Sequence, residues 1–145
     1  MTAARGTVGY IAPEVFSRNF GDVSHKSDIY SFGMLMLEMV GSKRKNRDVS
    51  SMENASQFYL PEWIYKHFER GENLEIDIEE EEDLKTANKL AIIGLGCIQW
   101  QPSDRPSISA VVKMLEGKEE LSMPSNPFAK GPALLQTNNN IISHH

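Results

Sequence analysis

The stretch SDIYSFGMLMLEMVG, residues 27–41, decides the fold because it predicts a helix without a polar face. Ser27 and Asp28 are residue types that cap a helix N-terminus, and Gly41 is typical of the position just after a helix. Between them, residues 29–40 are apolar on nearly every side. A helix this short cannot cross a bilayer, which takes about 20 residues, so we expect it at the centre of a core.

Three further helices are predicted, each with one apolar face. The first, with Pro61 in its first turn and its end at Gly71, buries Phe58, Leu60, Trp63, Ile64, His67 and Phe68. The second follows the acidic run at residues 75–83 and buries Leu84, Ala87, Ala91, Leu95 and Ile98. The third, residues 106–116, is capped by Asp104, is ended by Gly117 and buries Ile108, Val111, Val112 and Leu115. Three such helices cannot cover every side of residues 29–40, so core elements beyond this sequence are expected.

Composition narrows the classes of function. The chain has 145 residues, 40% of them hydrophobic and 24% charged, as in one soluble domain or part of one. A net charge of −5 argues against a nucleic-acid partner, because nucleic-acid-binding domains present a clustered basic face. The single cysteine, Cys97, cannot form an intramolecular disulfide, so a reduced, cytoplasmic setting is expected. No apolar run is long enough for a membrane segment.

Three short motifs follow one another along the chain. Residues 1–14 read MTAARGTVGYIAPE, residues 26–33 read KSDIYSFG and residues 101–107 read QPSDRPS. Ala12-Pro13-Glu14 alone is a weak signal, but the ordered set resembles the second half of a protein kinase C-lobe. Together with LPEWIY at residues 60–65, it is similar to plant receptor-like Ser/Thr kinases, most of all the rust-resistance-kinase-like (leaf-rust-receptor-like) group.

The resemblance, which covers residues 1 to about 128, implies a fold. That fold is mainly α, a partial protein-kinase-like C-lobe from which the N-lobe and the catalytic loop are absent. Residues 1–14 would end the activation segment, residues 29–40 would be the central helix αF, and the later helices would be αG, αH and αI. We therefore expect a partial kinase domain over residues 1–117. The Pro-, Asn- and Ser-containing tail, residues 118–145, is expected to be disordered.

The resemblance also implies roles for residues near the N-terminus. Gly6, Thr7, Gly9 and Tyr10 match the substrate (P+1) loop, in which the family's threonine contacts the catalytic Asp. An ordinary turn hydroxyl is the other interpretation of Thr7. Thr2 and Thr7 lie where related kinases are phosphorylated, so both are candidate phosphorylation sites that would need a basic partner.

Two further matches concern charged side chains. Glu14 and Arg105 match a structural ion pair of the family, and we expect them in contact because a buried carboxylate and guanidinium must be paired. Asp28 matches the αF aspartate that accepts N–H groups of the catalytic loop. A plain helix N-cap is the alternative, and the missing catalytic loop favours it.

The motifs that bind ATP are missing from the sequence. It has no Gly-rich loop, ATP lysine, catalytic-loop Asp and Asn, or Asp-Phe-Gly. Ser31-Phe32-Gly33 lacks the metal-binding carboxylate, and Gly94-Leu95-Gly96 lacks a third glycine and lies in a helical pattern. The four histidines show no metal-ligand spacing. We therefore predict no catalytic, cofactor-binding or metal-binding residue in this chain, although the intact family uses ATP and Mg²⁺.

Two functional hypotheses follow. In the first, the chain is a fragment of a Ser/Thr receptor-like kinase, inactive alone, on the cytoplasmic side of the plasma membrane when part of a full-length receptor. In the second, it is a genuine short, non-catalytic interaction module that competes for kinase partners. Both involve protein substrates or regulators, bound through the substrate loop and the αG surface, and the acidic run at residues 75–83 could bind a basic partner. An unrelated helical adaptor would require the ordered motifs to match by accident.

Overall fold

A computed structural model describes residues 8–16, 25–45 and 59–129. In these ranges the helical elements are a 3₁₀ turn at Val8–Tyr10, α1 (Pro13–Phe16), α2 (His25–Gly41), α3 (Leu60–Glu69), α4 (Glu81–Cys97), a 3₁₀ turn at Pro102–Asp104 and α5 (Ile108–Leu115). Extended pairing in the same ranges is limited to one bridge between Arg44 and Ile76. The expected mainly α fold class is confirmed.

Helix α2 lies at the centre of the fold, as its apolar sequence predicts. It contacts α3, α4 and both 3₁₀ turns, while α5 packs on α4. One buried cluster joins α2, α3, α4 and the loop after α3 through Met34, Leu37, Val40, Ile64, Leu74, Ile76, Ala87, Ala91, Leu95 and Ile98. A second joins α2, α4 and α5 through Ile29, Met36, Ile93, Cys97 and Val111.

The bounds of α2 differ from the prediction at both ends. The helix begins at His25, so that Ser27 and Asp28 lie inside its first turn rather than before it. Gly41 is the last helical residue rather than the one after the helix. Glycine is needed there for packing, because a Cβ atom at this position would lie 2.5 Å from the side chain of Leu60.

One side of α2 is exposed in the described part of the chain. Phe32, Leu35 and Met39 form this stripe, and the last two are about half exposed, at 48% and 49%. Their spacing of three and four residues places them on one helix face. The stripe agrees with the expectation that three amphipathic helices cannot cover a helix apolar on all sides. Among the described residues, no helix is both long and apolar enough to cross a bilayer.

Gly33 and Gly94 determine how closely α2 and α4 approach each other. A Cβ atom at Gly33 would lie 2.6 Å from Cys97 Cβ, and one at Gly94 would lie 2.9 Å from the side chain of Leu37. Both distances are shorter than normal carbon–carbon contacts, so a methyl group at either position would force the helices apart. The close helix crossing therefore uses Gly33 of the sequence Ser31-Phe32-Gly33 and Gly94 of the sequence Gly94-Leu95-Gly96.

Of the predicted face of α3, Ile64 is buried and Leu60, Trp63, His67 and Phe68 are partly buried, while Phe58 lies outside the described residues. Pro61 lies in the first turn of α3, and Gly71, at φ +71°, follows its end. On α4, Ala87, Ala91 and Leu95 are buried as predicted.

Two predictions for the last helix are wrong. The cap of α5 is Ser107, whose Oγ accepts the N–H of Ala110 at 3.1 Å. Asp104 cannot cap it, because Asp104 lies in a 3₁₀ turn and Arg105 after it is extended, at φ −83° and ψ 147°. The buried face of α5 is also narrower than predicted, because Ile108 and Val112 are exposed. Helix α5 packs on α4 through Val111.

The expected disordered tail contains a packed segment. Residues 118–129 lack helix and strand, but Pro127 is buried and Phe128 packs on the larger core cluster. Gly117, at φ +78°, follows α5 as predicted and turns the chain toward this path. Residues 130–145 lie outside the described residues.

Replacing Gly94 with alanine is expected to lower the free energy of unfolding by about 1–3 kcal/mol, because the new methyl group would overlap Leu37. Gly96→Ala is the matched control on the same helix, since the nearest atom to its Cβ would be 4.0 Å away. Its effect should be neutral or stabilising, by up to about 1 kcal/mol. Urea unfolding followed by circular dichroism measures both. Equal destabilisation by the two variants would contradict the close crossing.

Candidate functional site

The guanidinium of Arg105 lies at the centre of the densest polar network in the described chain. Nη1 donates to Glu14 Oε2 at 2.7 Å, and Nη2 donates to Glu14 Oε1 at 2.8 Å. The remaining N–H groups donate to the backbone carbonyls of Gln99 at 2.8 Å, Lys26 at 2.8 Å and Trp100 at 3.1 Å. A guanidinium has five N–H donors, so every one has an acceptor here. The arrangement ties together the segment before α2, the start of α2 and the end of α4.

The charges of this pair are almost completely removed from water. Arg105 is 2% exposed and Glu14 is 3% exposed. The ring of Tyr30 lies 5.0 Å from the Arg105 Cζ atom, within the range of a cation–π contact. Lys26 Nζ donates to the carbonyl of Arg105 at 2.5 Å, and Ser27 Oγ donates to Glu14 Oε2 at 2.8 Å. All groups needed to compensate the buried ion pair are therefore supplied by neighbouring segments.

The environment of Glu14 favours its ionised form. Burial by itself would raise the pKa of this carboxyl. The hydrogen bonds from Arg105, from the backbone N–H of Glu14 itself and from Ser27, together with the Arg105 charge, outweigh burial and hold the pKa below its usual value. Glu14 is thus a fixed negative charge at neutral pH.

The 3₁₀ turn at Val8–Tyr10 is attached to α2 by Tyr10. The carbonyl of Tyr10 accepts a hydrogen bond from Ser31 Oγ at 2.5 Å. Burial, the charge of Glu38 and a hydrogen bond to its carboxylate raise the pKa of the Tyr10 hydroxyl, so the hydroxyl stays protonated and donates. The backbone and the side chain of Tyr10 therefore both hold the turn against α2.

The acidic, histidine and cysteine side chains and the paired glycines of the described ranges bear on the predicted absence of metal and cofactor ligands. Within the described ranges, no three His, Cys, Asp or Glu side chains cluster closely enough to hold a metal ion. The thiol of Cys97 is fully buried, and burial raises its pKa to about 12, so it is not a nucleophile. The glycine pair of residues 94 and 96 lies within α4 and cannot serve as a phosphate loop.

The predicted site residues fall into three groups. Glu14 and Arg105 are brought into bidentate contact. Tyr10 lies in the 3₁₀ turn that is hydrogen-bonded to Ser31 of α2, with Gly9 exposed before it. Asp28 is exposed in the first turn of α2, where a carboxylate suits the helix dipole. The remaining predicted residues, Thr2, Gly6 and Thr7, lie outside the described residues.

Sequence reasoning missed the network roles of five residues: Lys26, Tyr30, Ser27, Gln99 and Trp100. The first two are four residues apart in KSDIYSFG and lie on one face of α2, which was a usable signal. Gln99 contributes mainly a backbone carbonyl, so its residue type gave no signal.

Known proteins match this chain over the segments that contain the network residues. The model of the family described as Protein kinase domain matches residues 1–115. The chain is 51% identical over 135 residues to a PR5-like receptor kinase of Arabidopsis thaliana, and 52% identical over 130 residues to the rust resistance kinase Lr10 of Triticum aestivum. The two matches cover 91% and 88% of this chain, and 20% of each relative.

A third relative extends the match. The leaf rust 10 disease-resistance locus receptor-like protein kinase-like 2.3 of Arabidopsis thaliana is 49% identical over 138 residues, which cover 93% of this chain and 22% of the relative. The chain thus spans about a fifth of the length of the curated relatives it matches.

Arg105→Lys is expected to lower the free energy of unfolding by about 3 kcal/mol or more, because one ammonium cannot replace five donors directed at four residues. Arg70→Lys is the matched control, since Arg70 is mostly exposed and 3.9 Å from Glu72. Its effect should stay within about 0.5 kcal/mol. Urea unfolding at neutral pH measures both, and similar values for the two would contradict a network centred on Arg105.

Glu14→Gln is expected to destabilise the fold most at neutral pH. Because the folded pKa of Glu14 is lowered, the ionised carboxyl stabilises the fold above its ordinary value of 4.5, and this contribution is lost as pH falls through the folded pKa. The difference in unfolding free energy between wild type and Glu14→Gln should therefore be largest near pH 7 and shrink below about pH 4.5. Urea unfolding across pH 3–7 measures it. A difference that grows toward acid pH would refute the assignment.

Proposed function

This chain belongs to the protein kinase domain family, and we propose that it forms the substrate-side part of the C-lobe of a plant receptor-like Ser/Thr kinase. The match over residues 1–115 and the identity of about 50% to plant receptor-like kinases confirm the resemblance found from the motifs. In the intact protein, the proposed activity is ATP-dependent phosphorylation of Ser and Thr side chains of proteins. The proposed location is the cytoplasmic side of the plasma membrane.

The contact between Glu14 and Arg105 carries this proposal. Glu14 ends the first kinase-like motif and Arg105 lies in the last, 91 residues away, and the pair joins the two motifs in the interior. A buried pair in which every donor has an acceptor fixes the segment before α2 in one position. We assign this pair the role of holding the substrate loop, whose members Gly6, Thr7, Gly9 and Tyr10 would contact the protein substrate.

We further propose that the polypeptide given by this sequence does not transfer phosphate by itself. Phosphoryl transfer depends on groups that position ATP and Mg²⁺ and stabilise charge, and the sequence contains none of their motifs. ATP and Mg²⁺ are therefore assigned to other parts of an intact kinase. Phosphorylation of Thr2 or Thr7 by a complete kinase is part of the same proposal.

A second candidate function is a non-catalytic module that binds regulators or substrates of kinases. The exposed face of α2 and the exposed acidic residues at the start of α4 favour it, because both offer surface to a protein partner. In this role α3, which is the αG of the resemblance, would supply the rest of the surface.

A chimera separates these proposals. Residues 1–129 of this chain replace the matching part of the wheat rust resistance kinase, and incorporation of labelled phosphate from MgATP into a Ser/Thr protein substrate is measured. The chimera is expected to be active, and the 145-residue chain alone to give no incorporation above a heat-denatured control.

Arg105→Lys in the chimera should lower kcat/KM by about tenfold or more, because the substrate loop loses its anchor. The exposed Arg70→Lys again serves as the control. A folded but inactive chimera would refute the kinase assignment and favour the binding module. Activity of the 145-residue chain alone would refute the proposed inactivity.

A further inference from the structure

The packed segment at residues 118–129 lies beyond the stretch that matches the kinase domain model, which ends at residue 115. It nevertheless belongs to the part shared with relatives. A match to 93% of 145 residues leaves about ten unmatched, so it includes residues 118–129 even if all the unmatched residues are C-terminal. The segment therefore needs a physical account that the family match does not give.

Phe128 anchors this segment to the start of α3. Its ring meets the ring of Tyr59 edge to face at 5.8 Å and 78°, and the ring of Tyr65 at 6.4 Å and 83°. Both geometries are favourable for aromatic pairs. Asn126 Oδ1 accepts the N–H of Phe128 at 2.9 Å, and Pro127 is buried between them. The turn thus has a fixed shape, and it directs the phenyl ring at α3.

Gln99 attaches the same segment to the end of α4. Its buried Nε2 donates to the carbonyl of Ser125 at 2.9 Å and to the carbonyl of Leu95 at 3.2 Å. Gln99 lies beyond Cys97, the last helical residue of α4, and beyond its C-cap residue Ile98, so helical hydrogen bonding does not fix its backbone. Its side chain holds it instead, between α4 on one side and the C-terminal segment on the other.

Both attachments lead to Arg105. The backbone carbonyl of Gln99 accepts the Nε–H of Arg105 at 2.8 Å. On the other route, the side chains of Tyr59 and Tyr30 interact, and the ring of Tyr30 lies 5.0 Å from the Arg105 Cζ atom. Two independent chains of contacts therefore connect the C-terminal segment with the ion pair.

We propose that residues 125–128 form a C-terminal clasp that positions the Arg105 guanidinium, with Phe128 as its anchor. The clasp holds the acceptor carbonyl of Gln99 and, through Tyr59, the ring of Tyr30 that covers Arg105. Through Arg105 it also holds Glu14. Phe128 is thus a positioning residue for Arg105 and Glu14, and through Glu14 for the chain that follows the substrate loop. The clasp does not depend on phosphoryl transfer, because every contact lies within this chain and can be measured on it.

The test uses the full 145-residue chain and hydrogen exchange by NMR. The Arg105 Nε–H donates to the carbonyl of Gln99, so its exchange reports on the ion pair. The Val111 N–H lies in α5 and donates to the carbonyl of the N-cap residue Ser107, so its exchange reports on the fold as a whole. In Phe128→Ala, exchange at Arg105 relative to Val111 should rise by at least about tenfold, because local opening exposes the ion pair without unfolding α5. Phe128→Tyr keeps the ring and should stay within about threefold of wild type.

Met123→Ala is the matched control, since Met123 lies in the same segment and is exposed; it should change the exchange ratio by less than about twofold. If Phe128→Ala does not fold, Phe128→Leu retains apolar bulk without the ring edges and should still raise the ratio by about threefold. Equal acceleration at Arg105 and Val111 would mean general destabilisation and overturn the clasp. An effect of Met123→Ala as large as that of Phe128→Ala would overturn it as well.

A double-mutant cycle tests the tyrosine route separately. Phe128→Ala and Tyr30→Phe should be coupled by about fivefold or more in the unfolding equilibrium constant, because both act on the same chain of contacts. Coupling below about twofold would show that the two sites are independent and would remove the tyrosine pair from the clasp.

Discussion

The buried pair of Arg105 and Glu14 is the interaction on which the rest of the structure depends. A guanidinium can be buried only if its charge and its donors are all compensated, and here that requires a carboxylate and three backbone carbonyls from separate segments. An apolar pair of the same volume could stabilise the core equally well. It would not require the segment before α2, the start of α2 and the end of α4 to meet in one arrangement. The main contribution of the pair is therefore to fix the relative positions of these segments, and the proposed substrate loop requires such a fixed position.

A second constraint is the close crossing of α2 and α4. Gly33 and Gly94 bring the helices near enough for each glycine to meet the partner helix directly. The acceptor carbonyls of Gln99 and Trp100 lie just beyond the end of α4, and that of Lys26 lies at the start of α2, so the crossing also sets the distance over which the ion-pair network must reach. Packing and polar network are thus two consequences of one helix arrangement.

The C-terminal segment extends this arrangement past the matched kinase domain. Phe128 places an aromatic ring on Tyr65 of α3, and Gln99 joins the segment to the end of α4, so the proposed clasp contacts both helices. A polar tail without periodicity can be ordered in this way when a few residues, here Pro127 and Phe128, bury enough surface to offset the entropy of ordering it.

Much of the helical fold and the ion pair follows from the sequence, because both rest on local or chemically unambiguous signals. The apolar run at residues 29–40 predicts a central helix, glycines mark the ends of α3 and α5, and the motif positions of Glu14 and Arg105 predict their contact. Only the tertiary structure showed which face of α2 is exposed, the exposed part of α5, the cap at Ser107, the glycine crossing and the packed tail. These features depend on contacts between segments that are far apart in the sequence, and residue type alone does not predict such contacts. Gln99 contributes to Arg105 a backbone carbonyl that any residue could supply. Phe128 is ordered only because α3 lies beside it.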